Sequence, residues 1–279
     1  SSLPKMGRID GAAMKSPSHH NNLDALRALA ICAVIAHHMV AYAGIQIPYI
    51  GEIGGGLGVQ LFFLVSGYLI VQSAERNTFQ AYAVARIFRI FPAYWVVLFT
   101  VWILEYLVNP SFKSVVDAGY AYLTLNVLNL QQLSVRSNLF LDRLHVGWTL
   151  TVEMFWYVLA FALVWWDRRT QRPHFWLWVL AISTLLTCIW VPLADTGVLD
   201  ILFAEQANQS GVEFSYMLRL VHIKSNIVAY LYIFVLGAVL FKYQRTLVKI
   251  PSSLLWPVML LLLAYWQEWQ AVVGFAPQP

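Results

Sequence analysis

Residues 26–38 read Leu26-Arg27-Ala28-Leu29-Ala30-Ile31-Cys32-Ala33-Val34-Ile35-Ala36-His37-His38. Ten of these thirteen residues are apolar, and the other three are ionisable. Extended to 23–43, the run is long enough as a helix to cross a hydrocarbon core of roughly 30 Å at about 1.5 Å per residue. An ionisable side chain at the centre of such a helix costs about 2.5–3.5 kcal/mol even on the lower scales, so each one is a candidate for function. Arg27 and His38 are eleven positions apart. At 100° per residue this returns them to one helix face, roughly 16 Å apart along the axis, while His37 points about 100° away from His38. The bland alternative makes Arg27 an interfacial anchor and the two histidines hydrogen-bonders between helices.

The chain around this run has the same character. Of 279 residues, 59% are hydrophobic and 11% charged, against roughly 25% charged in a soluble domain. A soluble fold of this length cannot hide so much apolar surface, and the 12 Trp and 14 Tyr suit a chain with rings at the headgroup level. Apolar runs at 57–74, 90–108, 144–166, 175–193 and 226–241 predict five more spanning helices, and 250–266 predicts a seventh. The run 115–130 is short and holds Asp117, Asn126 and Asn129. The expected fold is all-α, a polytopic transmembrane bundle with seven to eight spans visible. It has two parts: a polar cytoplasmic tail at 1–22, which lacks the apolar core of a signal peptide, and a membrane domain at 23–279. Lys and Arg exceed Asp and Glu by 18 to 14, too little to argue for nucleic acid. Cys32 and Cys188 lie inside apolar runs and read as packing residues rather than a disulfide framework.

Lys and Arg placement sets the orientation. With the tail in the cytoplasm, 44–56 is an outer loop without Lys or Arg, and Arg76, Arg86 and Arg89 come back to the inside. If 115–130 does not cross, Arg168, Arg169, Arg172, Lys242, Arg245 and Lys249 are also inside, and 194–222 is a long outer loop. If it does cross, all six face out. A re-entrant or surface-lying segment is therefore expected at 115–130.

Three further places carry polar groups where lipid is expected. Gly54 to Tyr68 reads Gly-Gly-Gly-Leu-Gly-Val-Gln-Leu-Phe-Phe-Leu-Val-Ser-Gly-Tyr. Gln60 and Ser66 there want partners, and the glycines suit either a turn or close helix packing. Arg86 and Arg89 are three apart, neighbours on one helix face, with Pro92 at the start of a span. Two guanidinium forks suit a phosphate-bearing ligand; a topology signal with lipid-headgroup contact is the alternative. Glu153, flanked at four positions by Thr149 and Tyr157, lies about two turns into a span, at the expected depth of His38. A carboxylate there is either part of a site or a structural hydrogen bond between helices.

These four segments resemble, in order, the membrane acyltransferase-3 family. The resemblance rests on Arg27-x10-His38, on Gly58 to Ile70 (Gly-Val-x-Leu-Phe-Phe-x-x-Ser-Gly-Tyr-Leu-Ile), on Arg86 to Trp95 (Arg-x-x-Arg-Ile-x-Pro-x-Tyr-Trp) and on Trp148 to Tyr157 (Trp-Thr-Leu-x-x-Glu-x-x-Trp-Tyr). Gln60 stands where many members carry Asp, which is similar to the exopolysaccharide-modifying branch. The family usually has about ten spans, so the C-terminal helices are expected to be missing from this chain. The resemblance implies transfer of an acyl group, usually acetyl, from a cytoplasmic acyl-CoA to a hydroxyl of a glycan or glycolipid outside a bacterial inner membrane. No permanently bound cofactor and no metal is expected, the adjacent His37 and His38 being unable to share a helix face. Under that reading His38 is the general base, Glu153 orients its imidazole, Arg27 orients the donor or an oxyanion, and Arg86 and Arg89 hold the donor's phosphates. Gln60, Ser66, Trp148 and Tyr157 complete the motif set, with Ser66 as a less favoured acyl-enzyme nucleophile. The rival class is a proton-coupled secondary transporter or flippase, with His38 and Glu153 as a proton relay. A sensor or scaffold would leave the His38 and Glu153 placement unused.

Overall fold

The computed structural model describes residues 18–43, 50–109, 120–135, 137, 147–209, 211 and 219–249. Among the described residues every regular element is helical. We number the α-helices α1 (Ser18–Ala43), α2 (Ile50–Arg76), α3 (Phe79–Val108), α4 (Tyr120–Val127), α5 (Gly147–Thr170), α6 (Phe175–Thr196), α7 (Ile201–Gln209) and α8 (Ile227–Leu247). Six of these, α1, α2, α3, α5, α6 and α8, are long and apolar enough to cross a membrane. The run at 250–266 and the tail at 1–17 lie outside the described residues.

Helices α1 and α2 run antiparallel and pack through glycines. A Cβ on Gly55 would come within 2.5 Å of the His37 ring, and one on Gly58 would press on the Ala30 carbonyl and on Val34. The glycines are therefore helix-packing residues. The outer loop expected at 44–56 is shorter than the sequence suggests, because α2 already begins at Ile50. The opposite side of α2 packs on α8 just as closely: a Cβ on Gly67 would collide with the Phe234 carbonyl, and one on Gly237 with the Leu64 carbonyl. Around this crossing lies the aromatic core. Phe63 stacks on Phe234 at 4.5 Å and meets the edges of Tyr230 at 5.2 Å and Trp148 at 6.2 Å, and Trp156 stacks on Phe234 at 5.2 Å. Trp148 thus belongs to the packed interior. Leu29, Ile31, Ile35 and Met39 of α1 point outward and are exposed, as residues facing lipid do. So do Cys32 and Cys188, which are not the packing residues expected.

Helix α3 starts at Phe79, capped by the Thr78 hydroxyl, so Pro92 lies inside it rather than at its start. Its 30 residues make about 45 Å, more than the roughly 30 Å of hydrocarbon. The extra turns carry Arg86 and Arg89 at one end.

Helices α2, α5 and α8 are parallel to one another. Ser66 meets Glu153, Arg168 reaches the Glu75 carbonyl, and Lys242 pairs with Glu75 and, at 2.7 Å, with Asp167. Since α3 leaves that end and α5 returns to it, the segment between them begins and ends on the same side, as the Lys and Arg count predicts. Helix α4 within it has eight residues, about 12 Å, too short to span. The long loop expected at 194–222 is partly helical. Helix α6 runs on to Thr196 and is closed by Gly197 at φ 78°, a left-handed position that suits glycine. A 3-10 turn at Val198–Asp200, α7 and a single π turn at Leu220–Lys224 follow.

Candidate active site

Glu153 is 3% exposed in the bundle interior. Its Oε1 accepts a hydrogen bond from Ser66 Oγ at 3.1 Å and another from Tyr157 Oη, one turn further along α5, at 3.0 Å. The charges of Arg89 and Arg27 act on the same carboxylate. Arg86 lies beside them: its Cζ is 5.5 Å from the centre of the Tyr157 ring and 5.7 Å from that of Tyr82, and its Nη2 donates to Ser73 Oγ at 3.1 Å. Tyr82 ties α3 to α5 by donating to the Tyr157 carbonyl at 2.8 Å. Four helices thus bring Arg27, Ser66, Arg86, Arg89, Glu153 and Tyr157 to one level. The Nε atoms of Arg27 and Arg86 are buried without a hydrogen-bond partner.

His38 is not part of this cluster. The antiparallel pairing that sets Gly55 on His37 and Gly58 on Val34 puts Ser66, and with it Glu153, level with Leu26 and Arg27. Eleven residues of α2 separate Gly55 from Ser66, so the two histidines lie roughly 16 Å from Glu153 along the bundle. The hydrogen bonds of Glu153 go to Ser66 and Tyr157. The expectation that Glu153 orients the His38 imidazole is therefore corrected: its partners are Ser66 and Tyr157, with the charges of Arg89 and Arg27 acting on it from beyond contact. The depth comparison misleads because it counts from loops whose lengths the sequence misplaces. His37 and His38 lie together, their rings edge to face at 5.7 Å, with His37 seated against Gly55. Gln60 is buried between the two levels, and its Oε1 has no partner.

A second polar region escapes the sequence reading. Asn126, Asn129, Gln131, Gln132 and Ser137 are all buried. Tyr94 Oη donates to the Asn126 carbonyl at 2.6 Å, Trp95 Nε1 to that of Val127 at 2.8 Å, and Thr151 Oγ1 to that of Asn129 at 2.9 Å. Asn126 Nδ2 donates to Ser137 Oγ at 2.6 Å, and Gln132 Nε2 to the Ser225 carbonyl at 2.7 Å. His222 Nδ1 meets the Gln132 carbonyl at 2.9 Å. Lys224 pairs with Asp195. The partial signal in the sequence was the amide-rich run of Asn126, Asn129, Gln131 and Gln132 beside an apolar stretch. Its partners are mostly backbone carbonyls of distant elements, which no side-chain motif announces.

Fold and site define a multi-pass helical membrane protein with a charged cluster inside its bundle. The chain belongs to an acyltransferase family: the family model, described as an acyltransferase domain, matches residues 20–275. It is similar to nodulation protein 10 of Rhizobium leguminosarum bv. viciae, 31% identical over 203 residues, covering 66% of this chain and 54% of that protein. It is also similar to the peptidoglycan O-acetyltransferase OatA of Listeria monocytogenes, 27% identical over 186 residues (62% of this chain, 28% of that protein). An O-acetyl transferase of Shigella phage Sf6 is 41% identical over 76 residues, or 26% of this chain and 23% of that protein. The chain thus spans about half the length, or less, of these relatives. No solved structure matches it.

Proposed function

We propose that the chain belongs to a membrane O-acyltransferase moving an acyl group, acetyl in the first instance, from acyl-CoA to a hydroxyl of a glycan or glycolipid outside a bacterial inner membrane. The observation that carries this reading is the convergence of Arg27, Arg86 and Arg89 at one end of the bundle, with the Nε donors of Arg27 and Arg86 buried and unpartnered. Spare N–H donors on guanidinium groups suit an anionic, oxygen-rich ligand, phosphate above all. The positive-inside rule puts that end in the cytoplasm, where acyl-CoA is found. Its phosphates sit at one end of a long flexible arm and its thioester at the other. Arg86 and Arg89 hold the phosphates, Arg27 the arm, and the arm covers the roughly 16 Å of α1 between Arg27 and His38.

At the far end His38 takes the proton of the acceptor hydroxyl as its oxygen attacks the thioester carbonyl. The carbon–sulfur bond breaks, the acyl group stays on the acceptor oxygen as an ester, and the thiolate of CoA leaves and is protonated by the imidazolium. Glu153 acts as a positioning residue that holds Arg27 and Arg89 in place. The names of two relatives as O-acetyltransferases, one of peptidoglycan, support an acetyl group and an envelope glycan. A proton relay from His38 to Glu153, on which a transporter reading rests, would have to bridge the same roughly 16 Å. The test uses membrane vesicles of the full-length protein, supplied with radiolabelled acetyl-CoA and assayed for label on glycan. His38→Ala is expected to cut transfer about 100-fold or more, and Arg86→Ala and Arg89→Ala to raise the KM for acetyl-CoA. Full transfer by His38→Ala overturns the mechanism, and unlabelled glycan in wild-type vesicles overturns the reaction.

A further inference from the structure

The buried polar atoms that lack a partner are sorted by chemical type along the bundle. Among the described residues, three are hydrogen-bond donors: Arg27 Nε, Arg86 Nε and Trp156 Nε1. All three lie in the half that holds Glu153 and the basic helix ends. The others are Gln60 Oε1, Asn126 Oδ1, Gln131 Oε1 and His222 Nε2, and they lie toward the opposite end. His222 is the sharpest of these, only 3% exposed. Its Nδ1 faces the Gln132 carbonyl at 2.9 Å. A carbonyl can only accept, so Nδ1 carries the hydrogen and Nε2 presents a lone pair with nothing to receive.

The depth of His222 follows from the packing of α8 on α2. Phe234 stands against Gly67 and Lys242 against Glu75, both 167 positions apart in the chain. His222 precedes the first turn of α8, whose Tyr230 meets Phe63 at 5.2 Å. It is thus at the end of α8 opposite to Lys242 and the basic helix ends. It lies in the single π turn Leu220–Lys224, a local departure from the α-helix that recurs at functional sites. Phe203 of the short helix α7 covers its ring at a centroid distance of 4.9 Å.

We propose that His222 binds a hydroxyl group of a polyhydroxylated acceptor, its Nε2 accepting the hydrogen bond. A buried imidazole that carries its hydrogen on Nδ1 and offers Nε2 as an acceptor matches a neutral O–H donor rather than an anion. Lys224 in the same turn pairs with Asp195, and no donor among the described residues reaches His222 Nε2. The identity of the ligand as the acyl acceptor rests on the acyl-transfer reading above; the binding site does not.

The test variant is His222→Asn, whose amide nitrogen replaces Nδ1 as donor to Gln132 but ends short of Nε2. Full-length wild type and variant are assayed two ways: transfer from radiolabelled acetyl-CoA to the glycans of membrane vesicles, and binding of the peptidoglycan disaccharide N-acetylglucosaminyl-N-acetylmuramic acid in nanodiscs. The variant is expected to lose at least tenfold in glycan labelling and in disaccharide affinity, with an unchanged KM for acetyl-CoA and an unchanged thermal midpoint. Labelling and binding within twofold of wild type overturn the proposal, as does a loss of both together with the thermal midpoint. If wild-type vesicles label no glycan, the acyl-transfer reading fails and the disaccharide assay alone decides the site. If wild type binds no disaccharide, the labelling assay decides. Failure of wild type in both overturns the site as well.

Discussion

Two hydrogen bonds from neutral hydroxyls, Ser66 and Tyr157, do not balance the charge of a carboxylate as deeply buried as Glu153. The charges of Arg27 and Arg89 offset part of the cost of burying it, and they also repel one another. Glu153→Ala therefore removes the buried negative charge that acts on both Arg27 and Arg89 and leaves their mutual repulsion less offset. Glycan labelling by this variant is expected to fall about 100-fold, within the range of losses known for positioned electrostatic groups. Glu153→Gln keeps an acceptor for both hydroxyls but not the charge, so its loss falls between, with a raised KM for acetyl-CoA. An unchanged donor KM in Glu153→Gln would detach Glu153 from the arginines. Ser66 separates two chemistries at the same spot. As a hydrogen-bond donor to Glu153 its removal costs little, and Ser66→Ala is expected to keep transfer within about tenfold, one hydrogen bond to a charged group contributing roughly 1.5 kcal/mol. A radiolabelled acyl group trapped on the wild-type chain after rapid quench, and absent from Ser66→Ala, would make Ser66 a nucleophile instead.

Between helices the decisive contacts are made by residues without side chains. Gly67 and Gly237 let α2 and α8 cross with backbone against backbone, and a methyl group at either position meets a carbonyl that cannot move without its helix. Small-residue crossings of this kind stand in for the hydrophobic drive that lipid removes. Gly237→Ala is expected to destabilise the protein by about 2–3 kcal/mol, at the upper end of overpacking costs, while the neighbouring outward-facing Leu236→Ala leaves stability unchanged. Denaturation in mixed micelles reads both, and equal midpoints would show that the crossing yields. The glycines were legible as close-packing residues, and hydropathy was enough to find α1, α2, α3, α5, α6 and α8. Boundaries were not legible, because helices run past the bilayer: the first turns of α3, with Arg86 and Arg89, are too polar to register as a span yet continue the same helix. The four motif segments held most of the site, Arg27, Ser66, Arg86, Arg89, Glu153 and Tyr157. What they could not show was which of these groups face each other, since α2 begins at Ile50 rather than at residue 57, and seven residues of helix shift a depth by about 10 Å. The buried segment around Asn126, Gln132 and His222 stayed hidden because it is held by single hydrogen bonds to the carbonyls of remote elements.

For the molecule as a whole, the C-terminal ends of α2, α5 and α8 lie side by side. Lys242 joins Glu75 and Asp167, Arg168 caps the Glu75 carbonyl, and Trp176 Nε1 donates to Asp167 at 2.8 Å. With three parallel helices tied at one end, α1, α3 and α6 must run the other way, and the stretch from Asn109 to the start of α5 must return to the side it left. By the positive-inside rule, the distribution of Lys and Arg predicts that this tied end faces the cytoplasm. Reporter fusions turn that into a measurement. Alkaline phosphatase, active only outside the cytoplasm, is expected to be inactive when joined after Asn77, Arg172 or Lys249 and active when joined after Asn109, Ser137 or Gln209. Green fluorescent protein should give the reverse pattern. The pair that matters most is Asn109 and Ser137. If α4 and its neighbours crossed the membrane, the two fusions would report opposite sides, Arg168, Arg169 and Lys242 would move to the outside, and the arginine cluster would no longer face a cytoplasmic donor. The same reading from both keeps the charged cluster and His38 on opposite sides of the bilayer, which is the arrangement that the proposed transfer requires.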